Sequence, residues 1–155
     1  MEVKKTVVGY LEENCYLIKE GNKGLIVDPG DEIDKILNMI GDTDIVGILI
    51  THAHFDHIGA LDDLLKHFDV PIYYHNINNE LTYEKLIDVK EQEYEIDNFI
   101  FYLSIGRTDL EYGSNEEMKE SINKIKNYSN NITIYPGHGK DTYLGFELKE
   151  NSYLQ

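Results

Sequence analysis

The chain has 155 residues and carries 14 Lys and Arg against 29 Asp and Glu, which gives a formal net charge of −15. This length fits one domain, predicted over residues 1–155, and a hydrophobic content of 41% is enough for a core, which excludes a disordered acidic tail. The negative charge disfavours nucleic acids and anionic membranes as partners, because both repel an acidic protein.

The sequence also predicts where the protein resides. Its longest largely aliphatic run, Ile45–Ile50, is far too short to span a bilayer, and no apolar leader follows Met1. A single cysteine, Cys15, excludes an intrachain disulfide and is predicted to be a buried apolar residue rather than a nucleophile. These features favour a cytoplasmic protein.

Strands open the chain and then alternate with helices. One apolar helix face is formed by Ile33, Ile36, Leu37 and Ile40, while the run from Ile45 to Ile50 has the composition of a strand buried on both faces. The predicted strands are 3–8, 15–19, 24–28, 45–50, 70–74, 96–103 and 132–135. The predicted helices are 32–40, 58–68, 79–89, 114–128 (with a Ser114/Glu117 capping box) and 144–154. This order predicts an α/β fold with a sheet covered by helices.

The stretch from Thr51 to His57 directly follows the buried strand and reads THAHFDH. His52 and His54 lie two residues apart, so in an extended chain they point the same way. Asp56 and His57 follow where the loop turns into a helix and can face the first pair. Three imidazoles and one carboxylate suit Zn²⁺, Mn²⁺ or Fe²⁺, and the end of a strand is where α/β sheets place ligands.

The other histidines carry weaker signals. His138 lies in the turn Pro136–Gly139, follows a predicted strand, and is interpreted as a further metal ligand because its glycine neighbours let the backbone approach another loop. His67 is placed on the polar side of a helix and His75 after a strand. Both are read as structural or solvent-facing, with His75 kept as an alternative ligand.

In these blocks the chain resembles the metallo-β-lactamase superfamily, in particular its small branch of glyoxalase II-like (hydroxyacylglutathione hydrolase-like) proteins. The resemblance implies an αββα sandwich with a metal site in a cleft at one edge of the sheets, shortened here by lost strands. The blocks that carry it are Asn14–Ile18, Ile26–Asp31, Thr51–Gly59, Ser104–Asp109 and Tyr135–Gly139, with Glu147, Asn151 and Leu154 near the end.

The resemblance also implies a set of metal ligands. The first metal would take His52, His54 and a histidine from a TPGHT-like block, and the second would take Asp56, His57 and His138. A TGD-like turn would supply a bridging aspartate. Neither the TPGHT-like nor the TGD-like block is present in this sequence.

The missing family segment is predicted between about residues 89 and 103. One alignment places Asn98 where the bridging aspartate belongs, with Asp97 beside it. The preferred alignment treats Glu95–Phe101 as the strand before a turn that is deleted. Because only the second site retains three ligands, we expect one metal per chain rather than two.

The resemblance implies hydrolysis of an acyl bond by a metal-activated water, with an acyl-glutathione-like thioester as the expected substrate. It also implies Asp56 as the residue that both binds metal and orients the nucleophile. The alternative is a degenerate member of the family that keeps the fold and at most one metal and acts as a binding or scaffold protein. A third hypothesis is that the absence of the family segment is an artefact of the gene sequence. Loss of strands would expose sheet edges, so the expected partners are a small-molecule substrate and a second copy in a homodimer, with elements exchanged between chains.

Overall fold

A computed structural model describes residues 1–76, 80–90, 93–96, 99–102, 119, 122–152 and 154. The chain divides into two compact units, residues 1–103 and 104–155. The assignment of residues 1–155 to one domain stays a prediction. Asn98, the Ser104–Asp109 block and the Ser114/Glu117 capping box, all used in the predictions above, lie outside the described residues.

A six-stranded mixed sheet forms the first unit, with its strands side by side in chain order. The first three strands pair antiparallel, and the following pairs are all parallel. The carboxyl ends of the third, fourth and fifth strands therefore meet at one edge. The strands are β1 (Glu2–Val8), β2 (Glu13–Glu20), β3 (Lys23–Val27), β4 (Asp44–Ile50), β5 (Ile72–Tyr74) and β6 (Leu86–Asp88).

Three helices and a hairpin complete the described part of this unit. Helix α1 (Ile33–Ile40) follows β3, while the short helices α2 (Phe55–Ile58) and α3 (Leu61–Leu65) connect β4 to β5. The hairpin consists of β7 (Glu93–Ile96) and β8 (Phe99–Tyr102), which pair antiparallel.

Apolar side chains pack on both faces of the sheet. Neighbouring residues of a strand point to opposite faces, so Ile26 and Ile48 belong to the large core under the helices. Leu25 and Leu49 belong to a second cluster that includes Phe99. The prediction that Ile45–Ile50 is a strand buried on both faces agrees with this arrangement. Packing on both faces holds β4 in place, and with it the start of the loop that follows.

The predicted helix 79–89 is wrong over the residues that the structure describes. This segment ends in β6, which adds to the sheet parallel to β5. The Asn76 side chain holds the backbone of Leu81 from both sides, since its amide donates to the Leu81 carbonyl and its oxygen accepts from the Leu81 N–H. Pairing with β5 satisfies the backbone of residues 86–88 and overrides the local helical pattern.

Two further boundaries differ from the prediction. The helix predicted at 58–68 begins three residues earlier, at Phe55, and is interrupted before Leu61, so Asp56 and His57 lie inside α2 rather than ahead of a helix. Within the strand predicted at 96–103, the described residues belong to two strands, since Ile96 ends β7 and Phe99–Tyr102 form β8. In both cases the apolar pattern fits more than one position of the element boundaries, and packing in the folded chain selects the observed one.

The second unit contains a small antiparallel pair and a helix. Strand β9 (Thr133–Ile134) pairs with β10 (Thr142–Tyr143), and α4 (Leu144–Glu150) follows directly. Residues 122–125 are helical, in agreement with the predicted helix 114–128. Among the residues described in both units, no helix is long and apolar enough to cross a membrane.

Candidate metal centre

The THAHFDH stretch begins where β4 ends, at the edge of the sheet shared with β3 and β5. His54 is the residue before α2 and has extended backbone angles, with φ −67° and ψ 146°. Its carbonyl accepts a hydrogen bond from the His57 N–H at 2.9 Å, which closes the first turn of the helix. This turn brings His57 back over the end of the strand, beside His52 and His54.

His52 and His54 converge through their ring nitrogens. His52 Nε2 and His54 Nδ1 are 3.1 Å apart, and the ring centroids of the two residues are 4.6 Å apart. Two nitrogens bound to one tetrahedral zinc at about 2.0–2.1 Å would be about 3.3 Å apart. The pair is therefore spaced as two ligands of one cation.

Asp28 fixes His57 from the opposite side. The Asp28 carboxylate lies 3.0 Å from His57 Nδ1, and both groups are almost completely buried. A carboxylate only accepts hydrogen bonds, so the proton of a neutral His57 ring resides on Nδ1 and the Nε2 lone pair is left for a metal. Asp28 itself has φ 50°, a conformation that Asp tolerates better than most residues.

Thr51 links Asp28 to His52, so that Asp28 also determines the tautomer of the His52 ring. Its N–H and its hydroxyl both donate to Asp28, at 2.7 and 2.6 Å. The hydroxyl proton is thereby used, so at the 3.0 Å contact between Thr51 Oγ1 and His52 Nδ1 the ring nitrogen is the donor. One buried carboxylate thus sets the tautomer of both His52 and His57, leaving Nε2 of each ring as the metal-binding atom.

Asp56 supplies the carboxylate of the motif. It is half-buried, and its Oδ2 lies 3.8 Å from His57 Nε2. The imidazole pair and this carboxylate–imidazole pair provide the nitrogen and oxygen donors that Zn²⁺ and Fe²⁺ accept. The residues present in the first unit therefore fit a divalent transition metal.

Glu13 is a residue whose importance the sequence does not reveal. It begins β2, is only 1% exposed, and its Oε1 lies 3.9 Å from His57 Nδ1. Burial is the main reason that its pKa is raised to about 9, and the charges of Asp28 and Asp56 add to the shift. Ligand atoms of Glu13, Asp28 and His57 all lie within 4.8 Å of one another.

The remaining histidines belong to other segments of the chain. His138 is an exposed residue of the second unit, between β9 and β10 and next to Gly139, which has φ 85°, so its role as a ligand stays a prediction. His75 points its Nδ1 at the Val89 carbonyl, and His67 is exposed just after α3. The contact with Val89 indicates a structural role for His75.

Two glycines let the loop after β3 pack directly on α2. A Cβ added to Gly30 would lie 1.9 Å from the Asp56 carbonyl oxygen, and one added to Gly59 would lie 2.3 Å from the Gly30 carbonyl oxygen. The Ala60 N–H donates to the Pro29 carbonyl at 3.0 Å and closes the same contact. The loop that carries Asp28 is thus fastened to the helix that carries His57.

A cleft of about 250 Å³ opens beside Asp56. Its walls include Tyr10, Leu11 and Phe55, all exposed, and the rings of Tyr10 and Phe55 are stacked with centroids 6.3 Å apart. Exposed apolar side chains gathered beside a polar cluster are typical of ligand sites.

Sequence reasoning missed several residues of this region, and their signals are of different strength. Asp28 stands in the Asp-Pro-Gly turn that the sequence shows clearly, but its role as a partner of His57 depends on tertiary structure. Phe55 lies within the histidine motif. Glu13 and Tyr10 have no local signal, because only the fold reveals that Glu13 is buried and that Tyr10 meets Phe55.

Comparison with known proteins relates the chain to one family. A sequence model of the metallo-beta-lactamase superfamily matches residues 8–85. The probable metallo-hydrolase YqgX of Bacillus subtilis (strain 168) is 28% identical over 206 residues, covering 99% of this chain and 98% of the relative. The hydroxyacylglutathione hydrolase GloC of Haemophilus influenzae is 27% identical over 208 residues, covering 99% and 98%. TTHA1623, crystallised in a di-iron-bound form, is 25% identical with a TM-score of 0.79, covering 97% of this chain and 99% of that structure.

Proposed function

Because the chain belongs to the metallo-beta-lactamase superfamily and has its α/β fold, we propose that it is a metal-dependent hydrolase that acts on a thioester. The observation that carries the proposal is the convergence of His52, His54 and His57 at the end of β4. A buried carboxylate orients two of these rings for metal binding. The names of two relatives, a hydroxyacylglutathione hydrolase and a probable metallo-hydrolase, point in the same direction.

Four residues of the first unit would supply metal ligands: His52 and His54 for the first metal position of the family, and Asp56 and His57 for the second. His138 of the second unit is the proposed third ligand of that second position. When bound, a divalent metal supplies an electrophile for the scissile carbonyl and lowers the pKa of the attacking water. Zinc is the cation we propose, with iron or manganese as alternatives that the same donors accept.

The protein's own groups would orient the reactants. Asp56 is half-buried and lines the cleft, so its carboxylate would bind the metal and orient the attacking water by accepting a hydrogen bond from it. Asp28 would hold the His57 ring in its orientation through the contact at Nδ1. The leaving thiolate is stable at neutral pH, so the reaction does not depend on a strong general acid.

The cleft beside Asp56 suggests which part of the substrate it binds. Tyr10, Leu11 and Phe55 offer an apolar surface at the carboxylate, which suits the acyl side of a thioester better than a charged group. We propose that the acyl chain lies against Tyr10 and Phe55 and that the carbonyl carbon reaches Asp56.

The metal content tests the proposed ligand set. We expect about one zinc per chain by plasma mass spectrometry, because the sequence supplies three family ligands for only one of the two sites. The alignment with YqgX runs over 206 positions against 155 residues here, which supports the loss of a family segment. A content close to two metals per chain would contradict the expected count. Protein that binds no metal would contradict the proposal that it is a metal-dependent hydrolase.

Activity is tested with acyl-thiol esters of different acyl length on zinc-loaded protein. We expect the double variant His52→Ala/Asp56→Ala to lose all turnover, while His67→Ala, which changes an exposed histidine outside the site, retains it. Turnover that persists in the double variant would identify a contaminant. Metal binding without turnover on any ester would favour the alternative, a non-catalytic member of the family, which the missing TPGHT-like and TGD-like blocks support.

We further propose that the chain forms a homodimer, with elements exchanged between the two copies. The described strands β1 and β6 end the six-stranded sheet, and open sheet edges favour pairing with a second chain. Light scattering at micromolar concentration is expected to give twice the chain mass of 18.0 kDa. A monomer mass would contradict the dimer and leave the proposed chemistry unaffected.

A further inference from the structure

Glu13 is a buried carboxyl group that secondary structure and packing do not explain. It lies at the start of β2, is 1% exposed, and neither of its side-chain oxygens has a hydrogen-bond partner among the described residues. Leaving such a group unsatisfied is costly, and a Gln or an apolar residue at this position would avoid a buried charge.

The surroundings of Glu13 make its charge harder to accommodate. Asp28, a second buried carboxylate, contacts the same nitrogen of His57 that Glu13 faces, at 3.0 Å against 3.9 Å. Two acidic groups therefore share one imidazole. The backbone of Gly30 closes the space on another side, since a Cβ there would come within 2.6 Å of Glu13 Oε2.

The position of His57 indicates that a bound cation would compensate the negative charges of Glu13 and Asp28. Its Nδ1 faces Glu13 and Asp28, whereas its Nε2 faces Asp56 on the side of the proposed metal. A cation bound there would be separated from Glu13 by only one imidazole ring, and in a dry interior the attraction across that distance is strong. Negative charge behind a histidine ligand also makes its free nitrogen a better donor to a metal.

We propose that Glu13 is a positioning residue for the metal centre, which acts on the ligand His57 together with Asp28 and strengthens metal binding at the expense of the metal-free protein. This inference rests on the proposed function, since it requires a metal at the THAHFDH motif. Glu13 touches neither the reacting atoms nor the metal, and its effect passes through the ring of His57.

The test compares zinc affinity and stability in wild type, Glu13→Gln and Glu12→Gln. The first substitution keeps the shape of the side chain and replaces its ionisable carboxyl group by an amide that cannot become charged, and the second makes the same change at an exposed neighbour. Zinc affinity is measured by competition with a chromophoric chelator, and thermal midpoints are measured with and without zinc.

We expect Glu13→Gln to weaken zinc binding about tenfold or more, the usual effect of losing an outer partner of a metal ligand. Its metal-free form should be at least as stable as the metal-free wild type, and Glu12→Gln should change neither quantity. Unchanged zinc affinity in Glu13→Gln would overturn the inference, as would a less stable metal-free form, which would mark a merely structural role. A wild type that binds no zinc would refute the proposed function itself, so the two failures are distinguishable.

Discussion

Replacing Asp28 by Asn tests whether one carboxylate sets the tautomers of two metal ligands. Asp28 accepts three hydrogen bonds, from the Thr51 N–H, the Thr51 hydroxyl and His57 Nδ1. An amide of the same size offers one acceptor oxygen and one donor NH₂ group. If the oxygen remains opposite the Thr51 N–H, the NH₂ group faces His57 Nδ1 at a 3.0 Å contact, where two donors would meet.

His57 can relieve that conflict only by moving its proton from Nδ1 to Nε2, the atom that faces Asp56. Metal binding then requires the ring to give up the favourable tautomer. We expect zinc affinity to fall about 10- to 100-fold, which corresponds to about 1.4–2.7 kcal/mol. If the ring does not change its tautomer, one buried donor is left unpaired, which costs about 1–3 kcal/mol of folding free energy.

Chelator competition measures the affinity, and the nitrogen chemical shifts of the imidazole rings report the tautomer directly. Asp42→Asn, the same change at an exposed turn residue, serves as the matched control. Circular dichroism checks that both variants are folded before metal is added. Wild-type zinc affinity in folded Asp28→Asn would refute the tautomer argument.

Three further substitutions address the neighbouring contacts. Thr51→Val removes the acceptor of His52 Nδ1 and should weaken zinc binding severalfold, with Thr51→Ser restoring it, as chelator competition would show. Gly30→Ala places a methyl group 1.9 Å from a carbonyl oxygen of α2 and should lower the unfolding free energy by more than about 3 kcal/mol in denaturant titrations. Gly21→Ala, where nothing lies within 4 Å but φ is 59°, should cost about 1–2 kcal/mol, and equal losses would contradict the packing argument. Phe55→Ala should raise KM for long acyl thioesters and leave acetyl thioesters unchanged, whereas a uniform loss of kcat would speak against an acyl cleft.

The first half of the fold could be predicted because its local patterns agree with its tertiary structure. The apolar face of α1 and the continuous apolar run of β4 each allow one interpretation, and both elements lie within a residue of their predicted bounds. The segment that ends in β6 is different. Its helical spacing is real, but Asn76 and the open edge of β5 provide hydrogen bonds that an isolated sequence cannot reveal.

In the site, too, residues that are close in sequence could be predicted, whereas their partners from distant parts of the chain could not. His52, His54, Asp56 and His57 are close in sequence, so a strand followed by one helical turn is enough to bring them together. Asp28 reaches His57 across 29 positions of the chain. Such partners become visible only when β3 and β4 are known to be parallel neighbours.

That parallel pairing explains why the metal motif and its support cannot be separated. Strands β3 and β4 end side by side, which places Asp28 next to Thr51, and the Asp28 N–H donates to the Leu49 carbonyl at 3.0 Å as a continuation of the sheet. The turn that follows must then cross close to α2, and Gly30 and Gly59 have no side chains that would prevent it. A substitution that loosened this crossing would move the carboxylate away from both histidine rings at once. The ligands are therefore held by the same backbone contacts that define the end of the sheet, so stability and metal binding should change together when this loop is altered.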